Sequence, residues 1–250
     1  MLSMVGLLLS VCIGVGMAGL WLPLLRRHFP SLDGAELVGL SGIAGLLLLG
    51  WLCFFAVPPR LAWLPALLAL PGWWLLVRTW KPVSFTGRPW AIPLGIALLI
   101  GVISALAPAT MSEWDTLAYH FAVPKLWLAA GAKIPIPFIH HSNFPFVVDS
   151  LFLLGLSLKM ESLARTFSLL LPCFGALTTL GLLRRRGEVT GPWVLLLLAG
   201  MPVLLSQLGT GYVDLSHGFL FGLGAAYGCE LLEGRLDAKA WVLAGLLIGG

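Results

Sequence analysis

Phe144–Leu158, FPFVVDSLFLLGLSL, is the stretch on which the fold turns. It is apolar, but its 15 residues fall short of the roughly 20 that a helix needs to cross a hydrocarbon core, and it carries Asp149. Such a segment suits an interfacial or re-entrant helix better than a span. The basic residues arbitrate. If the segment crosses, the 15 Lys and Arg divide 7 against 8 between the two sides, and nothing sets the orientation. If it does not, ten gather on one side: Arg26, Arg27, Arg78, Lys81, Arg88, Arg184, Arg185, Arg186, Arg235 and Lys239. Five remain on the other: Arg60, Lys125, Lys133, Lys159 and Arg165. Ten against five is the positive-inside pattern, so the segment is read as non-crossing, with Arg184–Arg186 cytoplasmic.

Around this stretch the chain is built for a membrane. It is 59% hydrophobic and 10% charged, with a mean hydropathy of +0.97, beyond the range of soluble domains. Apolar runs of spanning length recur and are continuous rather than alternating, so they are helices. Spans are expected near 3–25, 37–57, 61–77, 91–107, 162–183, 192–208 and 214–232. The first has no basic n-region or cleavage site and reads as a retained span. Pro23, Pro65, Pro71, Pro93, Pro172 and Pro202 fall within these spans, as membrane helices tolerate. A last apolar run begins at Ala240 and the chain stops inside it at Gly250, as a fragment of a longer protein would. The expected class is an all-α polytopic membrane protein.

Other features exclude function classes. The net charge of +4 comes from basic residues at span ends, where they set topology; it is no nucleic-acid signal. Cys12, Cys53, Cys173 and Cys229 sit within apolar runs without metal-ligand spacing and read as buried small hydrophobes. Trp21, Trp90, Trp127 and Trp193, near span ends, fit an aromatic belt.

Ionisable chemistry concentrates in the loop 108–161, above all in SEWDTLAYHFAVPKLWLAAGAKIPIPFIHH, residues 112–141. Ser112 and Asp115 fit a helix N-terminus, as cap and first-turn acid. Alternatively, Asp115 faces a membrane-surface cavity as a base or metal ligand, with Tyr119 one turn on and on the same face. The helix is expected to kink at Pro124 and end near Gly131. The adjacent His140 and His141 suit phosphate or solvent contact better than joint metal ligation. Lys125 and Lys133 either meet an anionic substrate or snorkel to headgroups. Asp149 caps its helix, lines the same cavity or lies at the surface. Asp214, in the turn GTGYVD (209–214), is either a cap or a functional acid at membrane depth. With 144–158 non-crossing, Asp115 and Asp214 share one face.

The string Asp115-Thr-Leu-Ala-Tyr119-His120, then Pro124-Lys125, Gly131 and Pro145, resembles the first outer loop of the GT-C membrane glycosyltransferases. It is most similar to bacterial relatives of the dolichyl-phosphate-mannose protein mannosyltransferases. Arg165 opening a span that ends in Arg184-Arg185-Arg186, and then Tyr212-Val-Asp214, match that family's next two spans and second acidic turn. The resemblance covers roughly 91–250 and leaves the helices of 1–90 outside it. The acidic signature is E-W-D rather than adjacent acids. It implies a GT-C-like fold with two juxtamembrane helices in the outer loop, at 113–130 and 145–158. It also implies an inverting transfer of sugar from a polyprenyl-phosphate donor to a lipid, glycan or protein acceptor at the outer face of a bacterial plasma membrane. Asp115 would be the catalytic base, assisted by Asp214. Glu113, Tyr119, His120, Lys125, His140, His141 and Arg165 would bind substrate. A divalent Mg or Mn ion takes part in some members. The rival expectations are a transporter or lipid flippase, with ionisable groups deep in several spans, and an inactive fragment of such an enzyme.

Overall fold

The computed structural model describes residues 2–80, 91–143, 146–187, 193, 196–197 and 199–249. Every regular element among them is helical. Among the described residues, four helices are long and apolar enough to cross a membrane: Leu2–His28, Gly34–Ala56, Pro59–Thr79 and Glu161–Arg185. This agrees with a membrane protein. At about 1.5 Å per residue, the 27 residues of α1 (Leu2–His28) reach roughly 40 Å.

Helices α1, α2 (Gly34–Trp51) and α7 (Glu161–Arg185) pack as the core, with α3 (Ala69–Thr79) against the far side of α1. Without a hydrophobic drive between helices in lipid, such packing relies on small residues that let backbones approach. Gly16 and Gly72 do this for α1 and α3: a Cβ on Gly72 would run into the carbonyl oxygen of Gly16. Helix α2 begins with a capping box, in which Asp33 accepts from the Ala35 N–H and Glu36 reaches back to the Asp33 N–H.

Several expectations need adjusting. The segment expected to span from residue 61 enters through 3-10 turns at Pro59–Leu61 and Leu64–Leu68, with Pro59 and Pro65 at their starts, and becomes α-helical only at Ala69. Helix α4 (Ala91–Leu106) covers the expected fourth span. Within 192–208 the described residues contain α8 (Pro202–Gln207), which opens on its proline. Helix α9 (Asp214–Leu232) matches its expected span closely, and α10 (Trp241–Ile248) follows. Of the four cysteines only Cys53 is buried; Cys12 and Cys229 are exposed on helix faces that an apolar solvent would cover. Trp127 is no belt residue: it is buried, with its Nε1 donating to the Ile134 carbonyl oxygen at 2.9 Å. Trp90, Lys81, Arg88 and Pro145 lie outside the described residues.

The ends of the helices sort into two groups. At one, Arg26 donates to the Thr79 carbonyl oxygen at 2.5 Å, and Arg185 pairs with Glu36 at 3.0 Å and with Glu230 at 2.6 Å. Arg186 reaches Glu230 at 2.6 Å, and the Tyr227 hydroxyl donates to Glu36 at 2.6 Å. Both glutamates are fully buried, so these partners satisfy charges that would otherwise be costly. This basic end gathers the described residues among the ten basic positions.

The loop forms the other end. It leaves α4 and returns to α7 at the same place, where the Ala109 N–H donates to Glu161 Oε1 at 2.7 Å. Helix α6 (Asp149–Ser157) is nine residues, about 13 Å long, and cannot cross. It packs instead on α5 (Ala122–Ala130) and the start of α7. Lys133 caps the carbonyl oxygens of Phe54 and of Val57 (2.7 Å), ending the π-helical extension of α2 (Leu52–Ala56) rather than meeting an anion or headgroup.

Candidate active site at the loop end

The polar loop folds around one buried ion pair. Arg165, 1% exposed in the first turns of α7, donates to Glu113 Oε2 at 2.9 Å and to Oε1 at 2.8 Å. Two more of its N–H groups reach the Ser104 carbonyl oxygen at 3.1 and 2.9 Å. Glu113 also accepts from the Thr116 hydroxyl and from the Gly211 N–H, both at 3.3 Å. The Ser168 hydroxyl donates to the Thr210 carbonyl oxygen. These bonds tie the end of α4, the loop's first helix, α7 and the turn before α9 into one unit. Gly211 is required there, since a Cβ would strike the Thr116 side chain.

Glu113 and Asp115 are two apart, and residues so spaced on a helix point away from each other. Glu113 therefore faces inward to Arg165 while Asp115 faces the surface, half-exposed. Ser112 does not cap: its hydroxyl pairs with that of Thr110 at 2.7 Å. The expected kink at Pro124 falls earlier, in a π-helical turn at Thr116–His120, where the Phe121 N–H bonds the Thr116 carbonyl oxygen at 2.9 Å. Pro124 has no N–H for the carbonyl four residues back, so the strain is taken up just before it. Single π turns often mark functional sites. Helix α5 then ends as expected at Gly131, which is left-handed with φ 73°.

Tyr119 is the centre of the surface cluster. The charges of Asp115, Asp214 and Asp149 all act on its phenol. Burial first, and those carboxylates next, push the phenol well above its ordinary range. Tyr212 is raised for the same first reason, with Asp115, Glu113 and Asp214 contributing. The charges of Asp115 and Asp214 thus act on the same two phenols. Asp214 is exposed, makes no cap bond, and accepts weakly from Gln207 Nε2 at 3.5 Å.

Aromatic rings complete the cluster. The His141 ring stacks on Tyr119 with centroids 4.0 Å apart and planes 7° off parallel, and His140 lies 3.7 Å from His141. On the other side the His120 ring sits 4.2 Å from Tyr119. His120 Nδ1 is 2.5 Å from Asp149 Oδ1, and both residues are buried. Asp149 therefore neither caps α6 nor lies at the surface; it fixes His120. Lys125 is exposed, its ammonium 5.6 Å over the Phe121 ring.

Sequence reasoning brought Asp115, Tyr119, His120, His140, His141 and Asp214 into one region, and the structure gathers them. Glu113 and Arg165 lie beneath as its anchor. The unforeseen members are Asp149 as partner to His120, and Tyr212. For Arg165 the signal was present: an arginine inside an apolar helix needs a buried partner. Among the described residues no group of three or more His, Cys, Asp and Glu is placed to hold a metal. Asp115 and Asp214 are the two acids of the cluster that reach the surface.

Comparison with models of protein families, with curated proteins and with solved structures finds no match to this chain.

Proposed function

We propose that the chain is the catalytic part of a GT-C-like glycosyltransferase, taking a sugar from a polyprenyl-phosphate donor at the face of the membrane where the loop lies. The observation that carries this reading is that the charges of Asp115 and Asp214, two acids 99 positions apart and on separate helices, both act on Tyr119, while the Gly211 N–H just before Asp214 bonds Glu113 just before Asp115. A general base must lie within hydrogen-bond reach of the acceptor proton. Asp115, half-exposed and one helical turn before Tyr119, takes that task. The acceptor hydroxyl attacks the anomeric carbon, its proton passes to Asp115, and the lipid phosphate departs with the electron pair of the broken bond. Asp214 assists from the opposite helix. Lys125 and His140, exposed on the same loop, supply positive or donor groups for the departing phosphate. Asp149 holds His120 by Nδ1, so the ring buttresses Tyr119 in one orientation. Glu113 and Arg165 act as positioning residues, since their polar atoms are committed to each other and to the backbone.

The transporter reading expects ionisable groups lining a path between the two ends. Among the described residues the most buried charged groups, Glu36, Glu230 and Arg165, are all closed into ion pairs.

The test is release of polyprenyl phosphate from a polyprenyl-phosphate sugar by the chain in nanodiscs, beside its Asp115→Asn variant. Release that depends on Asp115 supports the reading. Release equal in both, from protein shown to be folded, removes it.

A further inference from the structure

Helix α9 carries two ionisable side chains in its first three turns, Asp214 and His217, and both are exposed. Three residues apart on a helix, they are neighbours on one face, with about 5–6 Å between their Cβ atoms. The transfer described above uses Asp214 and leaves His217 without a task. Among the described residues the His217 ring has no ion pair and no side-chain hydrogen bond. Gly218 beside it keeps the approach open, since a Cβ there would meet nothing within 4 Å.

The turn that feeds α9 is sunk between α4 and α7. A Cβ on Gly209, left-handed at φ 71°, would run into the Gly101 carbonyl oxygen, and Gly101 lies five residues, about 7 Å, before α4 ends at Leu106. The Thr210 carbonyl oxygen takes its bond from Ser168, seven residues into α7. From there α9 runs toward the basic end, where its Glu230 meets Arg185 at 2.6 Å, so His217 lies about 4–5 Å deeper than Asp214. An ionisable side chain in a membrane helix ordinarily faces the bundle interior or has a partner, and one that does neither marks a functional position.

What a bilayer brings to that depth is a lipid phosphate with its hydrocarbon below. An imidazole donates from one ring nitrogen when neutral and from both when protonated, which suits phosphate oxygens. We infer that His217 holds the phosphate of the polyprenyl-phosphate donor from α9, while Lys125 and His140 serve it from the loop. As the bond between the anomeric carbon and the phosphate oxygen breaks, the electron pair stays on that oxygen and the His217 N–H stabilises the charge. The inference rests on the glycosyltransferase reading, but the phosphate contact is measurable without turnover.

The test is native mass spectrometry of the 250-residue chain ejected from phosphatidylcholine nanodiscs that carry equal amounts of undecaprenyl phosphate, undecaprenol and phosphatidylglycerol. One retained undecaprenyl phosphate is expected, several-fold above the other two. His217→Phe, which keeps an aromatic ring but removes both nitrogens, should lower that retention several-fold. His217→Gln, which keeps an N–H donor, should restore part of it, with circular dichroism unchanged in both. Undecaprenyl phosphate held no better than undecaprenol, or held equally by His217→Phe, overturns the inference. Phosphatidylglycerol held as tightly shows a general headgroup contact and overturns it too. Release of polyprenyl phosphate separates this from the enzymatic reading. Asp115-dependent release, beside retention that His217→Phe leaves unchanged, sinks the His217 assignment alone. Retention lost in His217→Phe, with no release by the parent chain, removes the enzymatic reading and keeps the phosphate contact.

Discussion

The Arg165 guanidinium grips both carboxylate oxygens of Glu113, at 2.9 and 2.8 Å, across 52 residues of sequence and beneath the whole loop. Removing one partner leaves the other charge buried without compensation, which typically costs about 3–5 kcal/mol. Glu113→Ala should therefore lower the thermal unfolding midpoint of the detergent-solubilised protein markedly. Glu113→Leu combined with Arg165→Met should recover much of the loss, because replacing both members of a buried pair by apolar groups is often neutral. A midpoint unmoved by Glu113→Ala would show that the pair does not anchor the loop.

The two surface acids should behave differently from their buried neighbour. Asn keeps the size of Asp and a side-chain acceptor, so Asp115→Asn should leave unfolding unchanged while slowing transfer about 10²–10⁴-fold, the usual loss when a general base is removed. Asp214→Asn should impair transfer without destabilising. Initial rates with a polyprenyl-phosphate sugar, measured beside thermal unfolding, check both. Rates near those of the parent protein in Asp115→Asn would contradict its role.

Tyr119 provides a pH signature. An ordinary tyrosine ionises near pH 10. Burial and the carboxylates raise the folded-state value, so the folded protein resists ionisation that the unfolded chain permits. The contribution of Tyr119 to stability is then intact below about pH 10 and falls as pH rises further. Tyrosine ¹³Cζ NMR, with the Tyr119 signal identified by its loss in Tyr119→Phe, should show ionisation above the ordinary value, moving down in Asp115→Asn. Ionisation at or below the ordinary value would contradict the described cluster.

Much of this was legible because it depends on length, charge and apolar continuity. Phe144–Leu158 was too short to cross and erased the charge asymmetry if forced to, and α6 proved to be a nine-residue helix buried at the loop end. Gly131 was legible as a helix stop because an αL position favours glycine. What escaped were pairings across long sequence separations. Nothing local marks Asp149 as the partner of His120, or separates the buried Glu113 from the exposed Asp115, since only the helix start at Trp114 decides which acid turns inward. The π turn at Thr116–His120 was also hidden: a proline predicts a break but not the register in which the backbone absorbs it.

The central claim is that the loop leaves and re-enters at one end, so that Asp115 and Asp214 face the same compartment, opposite the basic end. Single cysteines at Asn143, Gln207 and Ala238, in a background lacking the four native ones, test it through labelling by a membrane-impermeant thiol reagent. The account predicts that Asn143→Cys and Gln207→Cys label from outside intact cells, whereas Ala238→Cys labels only after the membrane is opened. Labelling of Asn143→Cys and Gln207→Cys from opposite sides would separate the two acids and contradict it.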